Sequence, residues 1–294
     1  MIVTKITGGL GNQMFQYAIA LILAKKNKTS IYIDDSFYQN KNSGTPRDFE
    51  LSLFQKNLNF ATPYLISYFT SLSFWNKLRR QAALNYPKIY NEKNCAFDKK
   101  VLGLSNPVYL KGYFQSYKYF NGFEKQICDF FSFPENMNNE RDKKFLTKLN
   151  YNNSVAIHVR RGDYINDYKT QKFHGNCTKK YYLEAIELIA KQTTDPYFFF
   201  FSDDPLWCEQ NFKNLPYKIN FVTKNQGTNS WKDMMLMSNC KNNIIANSSF
   251  SWWSAWLNRN PKKIVIAPEK WFAFSKKEGN ALDLIPPEWI RIDN

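Results

Sequence analysis

Val155-Ala156-Ile157-His158-Val159-Arg160-Arg161-Gly162-Asp163 is an apolar run that ends abruptly in an imidazole, two guanidiniums and a carboxylate. An α/β sheet presents this pattern at the carboxyl ends of its strands, where ligands bind. Arginine adds a rigid fork of donors that matches phosphate oxygens. The stretch reads as a strand feeding a site for a phosphate-bearing ligand. The competing reading is an Arg-Asp pair that ties the strand end to its loop.

Outward from this run the pattern repeats. Strands are expected at Val155 to Val159, Tyr197 to Phe201, Ile219 to Val222, Ile244 to Ala246 and Ile264 to Ala267, with helices at Lys179 to Gln192, Pro205 to Phe212, Trp231 to Cys240 and Phe250 to Asn258. Strict alternation at this spacing predicts a parallel sheet wrapped by helices. The N-terminus opens with a second βαβ unit: strand Ile2 to Ile6, glycine turn Gly8-Gly9-Leu10-Gly11-Asn12, helix Met14 to Lys26 and strand Ile31 to Asp34. The basic residues Lys25, Lys26 and Lys28 suit the carboxyl end of that helix, where cations complement the dipole. A polar stretch, Asn136 to Asn153, separates the halves, so the expected fold is α/β with two Rossmann-like domains, 1–150 and 151–294, facing across a ligand cleft. Between residues 55 and 90 the chain is irregular, aromatic and basic, which suits a helix packed in the core or one lying on a membrane surface.

With 294 residues, 44% of them hydrophobic, the chain is long enough for two cores. A net charge of +15 implies anionic partners: nucleotide-sugars, membrane surfaces or nucleic acid. Five scattered cysteines without a C-x-x-C pair argue against a disulfide framework and a structural zinc site. No secretory signal is read at the N-terminus and no run of about 18 apolar residues occurs, so a cytoplasmic protein is expected, with residues 60–90 as the candidate contact with the inner membrane.

Three further segments carry chemistry. Gly9-Leu10-Gly11 begins like a dinucleotide fingerprint, with Asp34 or Asp35 at a plausible ribose distance, but Met14 stands where the third glycine belongs. What remains is a helix mouth able to face an anion, flanked by Asn12 and Gln13. Asn247-Ser248-Ser249-Phe250-Ser251 lies at a strand-to-helix turn, where small hydroxyl residues leave backbone amides accessible as a second phosphate cradle, or cap the helix. Asp233, in the run Met234-Met235-Leu236-Met237, either serves its helix terminus or accepts the paired N–H groups of guanine. Asp203 and Asp204 read as caps of the helix starting at Pro205 rather than as metal ligands.

Gly8 to Gln16, His158 to Tyr164, Ser202 to Asp204 and Asn247 to Leu257, in this order over nearly the whole length, resemble the bacterial α-1,2-fucosyltransferases of glycosyltransferase family 11. The resemblance implies a GT-B architecture, GDP-fucose as donor, a galactose-terminated acceptor, and inversion at the anomeric carbon with no cofactor and no obligatory metal. By matching position, Arg160 would hold the diphosphate, His158 the nucleoside or phosphate, Asp233 guanine, and Ser248, Ser249 and Phe250 the phosphate turn. Gly9 and Gly11 would join the donor set, with Arg161 and Asp163 in support. Asn12 would help place acceptor and leaving group.

In such a reaction charge builds on the departing β-phosphate, so fixed donors aimed there contribute most. Arg160, Asn12 and His158 are the catalytic candidates. No base is evident: the chain holds only His158 and His174, and His174 and Asp167 are candidates for touching the acceptor. The expected reaction is largely dissociative, with the departing phosphate taking the proton. A nucleic-acid-binding protein and a nucleotide-dependent oxidoreductase are the alternatives; the first lacks any RNP, zinc or helix-turn-helix signature, and Met14 weakens the second.

Overall fold

A computed structural model describes residues 1–39, 47–55, 57–71, 73–82, 87–135, 139–162, 171–172, 175–223, 225, 227–273 and 283–294. The chain divides into two units: Met1–Phe133 with Leu282–Leu284, and Pro134–Ala281 with Ile285–Asn294.

In the first unit, strands β1 (Ile2–Lys5), β2 (Ile31–Asp34), β3 (Lys88–Asn91) and β4 (Val108–Lys111) form a parallel sheet in the order β2-β1-β4-β3. Helix α1 (Leu10–Asn27) crosses between β1 and β2; it is buried from Met14 to Ala20 on every side, as its continuous apolar sequence requires. It stops at Lys28, a left-handed residue whose N–H bonds back to the Ala24 and Lys25 carbonyls. Short helices α2 (Ser36–Gln39), α3 (Pro63–Thr70), α4 (Phe74–Ala82) and α5 (Glu124–Phe130) complete the helices described in this unit. Val3, Phe69, Tyr109 and Ala61 form a core against the sheet. Asp283 returns to this unit, accepting the Phe97 amide and pairing with Lys118.

The second unit opens with α6 (Glu140–Tyr151), followed by β5 (Asn153–Val159), α7 (Lys179–Gln192), β6 (Pro196–Ser202), α8 (Pro205–Phe212), β7 (Lys218–Val222), α9 (Trp231–Ser238), β8 (Asn242–Ile244), α10 (Ser249–Trp256), β9 (Val265–Pro268) and β10 (Ile290–Ile292). The six strands are parallel in the order β10-β9-β8-β5-β6-β7. Phe198 to Phe201 are buried on both faces of β6, the continuous apolar pattern of a covered parallel strand. Val155, Ile157, Phe198, Phe200, Tyr181, Tyr182 and Ile186 make the main core.

The division falls at residue 133, not at 150. Helix α6 belongs to the second unit because it packs on β5's sheet: Phe145 meets the Phe199 ring at 5.6 Å, and Asp142 pairs with buried Lys232 of α9 at 2.5 Å. The expected start of α1 at Met14 is also corrected, since the helix begins four residues earlier with Gly9 as its N-cap. All five cysteines are free thiols.

Candidate functional site

Ligands of open parallel sheets bind at the carboxyl ends of strands where the strand order reverses. In the second unit β6 and β7 are laid down on one side of β5, and β8, β9 and β10 on the other, so the reversal lies between β5 and β8. His158 to Gly162 leave the carboxyl end of β5; Asn247 to Ser251 follow β8. Two segments nearly ninety residues apart in sequence are thereby brought together. The His158 ring lies 5.6 Å from the Phe250 ring.

His158 is 6% exposed, and its Nδ1 is a buried atom without a hydrogen-bond partner. Burial pulls its pKa down to about 4, opposed by Asp203 and reinforced by Arg160. The imidazole is therefore neutral at physiological pH, with one donor and one acceptor nitrogen. Arg160 is paired through Nη1 with Asp203 at 2.9 Å, and about a quarter of its side chain stays open to solvent. Asp203 also accepts the Arg161 amide at 2.8 Å, and a Cβ on Gly162 would lie 2.8 Å from its Oδ2. Residue 162 must be glycine for this carboxylate to sit here.

Arg161 turns elsewhere. Its Nε bonds Asp204 and its guanidinium stacks 4.0 Å over Trp207 of α8, while Asp204 caps that helix through the Trp207 amide. Asp204 is thus a cap as expected, whereas Asp203 holds arginine. Among the described residues no cluster of three His, Cys, Asp or Glu side chains gathers as a metal site.

Across the reversal, Ser248 is the N-cap residue of α10 but its side chain makes no capping bond. The first-turn amides of a helix have no intrahelical partner and carry the positive end of its dipole. Ser251 Oγ, by contrast, is spent on the Ala246 amide at 2.9 Å. Trp252 and Trp253, fully buried, anchor the helix beneath. At the start of α9, desolvation raises the Asp233 pKa to about 7, and Asn225 Nδ2 donates to its Oδ1 at 2.7 Å. Asp163, Asp167 and His174 lie outside the described residues.

The first unit has its own reversal, between β1 and β4. Gln115 Nε2, beyond β4, donates to Asn12 Oδ1 at 2.8 Å and spans it. Tyr38 donates to the Gly8 carbonyl at 2.8 Å, and Arg47 lies over Gly9. Gly8 adopts φ +78°, and its Cβ would strike the Asn12 amide at 2.7 Å. Two expectations change here. The mouth of α1 faces a carboxylate of the protein itself: Glu50 lies within electrostatic reach of the Leu10 N–H, and burial raises its pKa. Gln13 does not flank the mouth; fully buried, it clamps Gly8, Asp48 and Glu50 through three backbone bonds. Gly9 and Gly11 thus lie at a helix start beside the protein's own carboxylate, and Gly11 is buried within the first turn. Sequence reasoning missed Glu50, Tyr38 and Gln115; the last two follow strands β2 and β4, and recognising β4 would have drawn attention to the loop after it.

The family model for glycosyl transferase family 11 matches residues 1–293. An alpha-1,2-colitosyltransferase of Escherichia coli is 34% identical over 100% of this chain and 99% of its own length. The O-antigen biosynthesis glycosyltransferase WbnK, also of Escherichia coli, is 35% identical over 98% of this chain and 99% of its own. Among solved structures, the NodZ alpha-1,6-fucosyltransferase soaked with GDP-fucose superposes with a TM-score of 0.51 at 13% identity, covering 90% of this chain and 94% of that one. The last likeness is one of fold, the α/β fold of the GT-B type with parallel sheets.

Proposed function

Since the chain belongs to glycosyl transferase family 11, we propose that it moves L-fucose from GDP-β-L-fucose to the 2-hydroxyl of a terminal galactose, with inversion, on a lipopolysaccharide or oligosaccharide acceptor. The observation that carries this reading is the meeting of His158 to Gly162 with Ser248 to Ser251 at the strand-order reversal of the second unit. That place unites an arginine held by a carboxylate, an unpartnered buried imidazole nitrogen and the open end of a helix.

In this reading Arg160 and the amides of Ser249 and Phe250 hold the diphosphate. Asp203 fixes the guanidinium, so little reorganisation accompanies charge growth on the leaving β-phosphate. His158, neutral and packed against Phe250, contributes a hydrogen bond and not a charge. Asp233 receives guanine, whose N1–H and 2-amino group match a carboxylate. The first unit presents the acceptor near Asn12, whose orientation Gln115 sets. In this reading the diphosphate itself takes the acceptor proton and no metal is required, with Asp203 and Asp204 serving the arginines and a helix cap.

The printed names of two relatives support this linkage and setting: one is an alpha-1,2-transferase and the other an O-antigen biosynthesis glycosyltransferase. The colitosyltransferase favours a second donor reading. Colitose is 3-deoxy-L-fucose, so the two donors differ by one hydroxyl, and a site that hydrogen-bonds this hydroxyl rejects the analogue lacking it. Purified protein incubated with GDP-fucose or GDP-colitose and a panel of galactosides, with linkage read by NMR, tests both. Transfer from GDP-fucose to O2 of galactose is expected; turnover with GDP-colitose alone would replace fucose by its deoxy analogue, and turnover with neither would reject the proposal.

A further inference from the structure

The segment between Glu50 and Glu92 is chemically unlike the rest of the chain. Its 41 residues contain Lys56, Lys77, Arg79, Arg80 and Lys88 and no carboxylate, together with nine aromatic side chains. An apolar segment of a first-unit core would bury those rings. Several apolar side chains are left out instead: Phe74 is 68% exposed and Trp75 72%, with Leu78 beside them at 41%.

On α4 (Phe74–Ala82), residues 74, 75 and 78 fall within one arc of about 100° at 3.6 residues per turn. They form one exposed apolar stripe, not scattered surface residues. Tyr64 of α3, 69% exposed, adds a further amphipathic ring, and tyrosine and tryptophan are the residues enriched at the interface between lipid and water. The exposed stripe on α4 marks an interaction surface.

We propose that this face of the first unit docks on an anionic lipid bilayer. Charge complementarity selects that occupant: the segment holds cations, Lys77, Arg79 and Arg80 on α4 itself, without a single acid, and on a chain of net charge +15 this matches an anionic headgroup layer. The aromatic stripe supplies the apolar half of an interfacial helix. Among the described residues no helix is long and apolar enough to cross a membrane, so the contact is peripheral. The proposal stands apart from the transferase reading, because it concerns neither donor nor acceptor.

Cosedimentation of the whole protein with vesicles tests it. Binding to vesicles containing phosphatidylglycerol is expected, with none to pure phosphatidylcholine and loss at high salt. The variant Phe74→Ser/Trp75→Ser removes exposed side chains, so its melting temperature should match the wild type while its vesicle partitioning falls about tenfold. A second variant, Lys77→Gln/Arg79→Gln/Arg80→Gln, should lose the preference for anionic lipid. The proposal is overturned if wild-type protein ignores anionic vesicles, if both variants partition as it does, or if the aromatic variant instead breaks up a dimer of this chain that does not bind vesicles.

Discussion

Arg160, Asp203 and Gly162 act as one device. The carboxylate holds the guanidinium at 2.9 Å, and the glycine leaves the carboxylate its place. Arg160→Ala should weaken GDP binding by about 10- to 150-fold in calorimetry, the equivalent of a charge-assisted bond of roughly 1.5–3 kcal/mol. Arg160→Lys should recover only part of this, since an ammonium lacks the planar fork. GDP affinity unchanged in the alanine variant would remove the arginine from the donor site. Asp233 makes a different trade. Its folded pKa of about 7 lies above the unfolded carboxyl value, so it opposes folding increasingly as pH rises from about 4 to 7 and by a constant amount above. Asp233→Asn should therefore stabilise the nucleotide-free protein at pH 8 by about 1–3 kcal/mol, with the gain vanishing near pH 4, while GDP affinity falls. Thermal melts across pH decide the first half and calorimetry the second; a variant less stable at pH 8 contradicts the assignment.

Elements explain both what the sequence disclosed and what it hid. The α7, α8 and β5 to β7 assignments were legible because long apolar runs alternate with amphipathic helices. Strand β8 was expected at Ile244 to Ala246 but runs from Asn242 to Ile244. Two asparagines disfavour a strand by propensity, yet here their amides are satisfied inside: Asn242 Oδ1 accepts the Ile264 amide, and Asn243 bonds the Met237 carbonyl and Asn258. Strands β3, β4 and β10, at three or four residues each, fell below any periodicity. The cationic motif after β5 was readable from residue types alone, but not the placing of Glu50 beside the mouth of α1, because Glu50 lies forty residues from Leu10 and no local pattern links them. That placement is testable. Glu50→Gln keeps an oxygen for the Leu10 N–H and should leave stability within about 0.5 kcal/mol, whereas Glu50→Ala should cost about 1 kcal/mol in denaturant unfolding, the usual value of a helix-start acceptor. Equal stability of both variants would mean the carboxylate does not serve the helix.

At the scale of the whole molecule, each unit carries one strand-order reversal, and the two differ in what they offer. The reversal between β5 and β8 presents a guanidinium, a neutral imidazole and a helix start without a side-chain cap; that between β1 and β4 presents amides, a tyrosine and the Arg47 side chain beside a helix start that faces the Glu50 carboxylate. In the proposed reading an anionic diphosphate goes to the first set and a neutral sugar alcohol to the second. Hydrogen exchange on the intact chain separates them. Adding GDP should slow exchange in 153–162, 225–238 and 248–256 and leave 8–27 unchanged, because ligand binding protects the segments it orders. Adding a galactoside with GDP present should protect 8–12, 36–39 and 112–117. Nucleotide protection centred on Gly8 to Asn12 would reverse the assignment of donor and acceptor units. It would also set the diphosphate against the Glu50 carboxylate, so that GDP protection at the glycine turn would be enhanced in Glu50→Ala, whereas the division argued from charge leaves GDP binding by that variant unaltered.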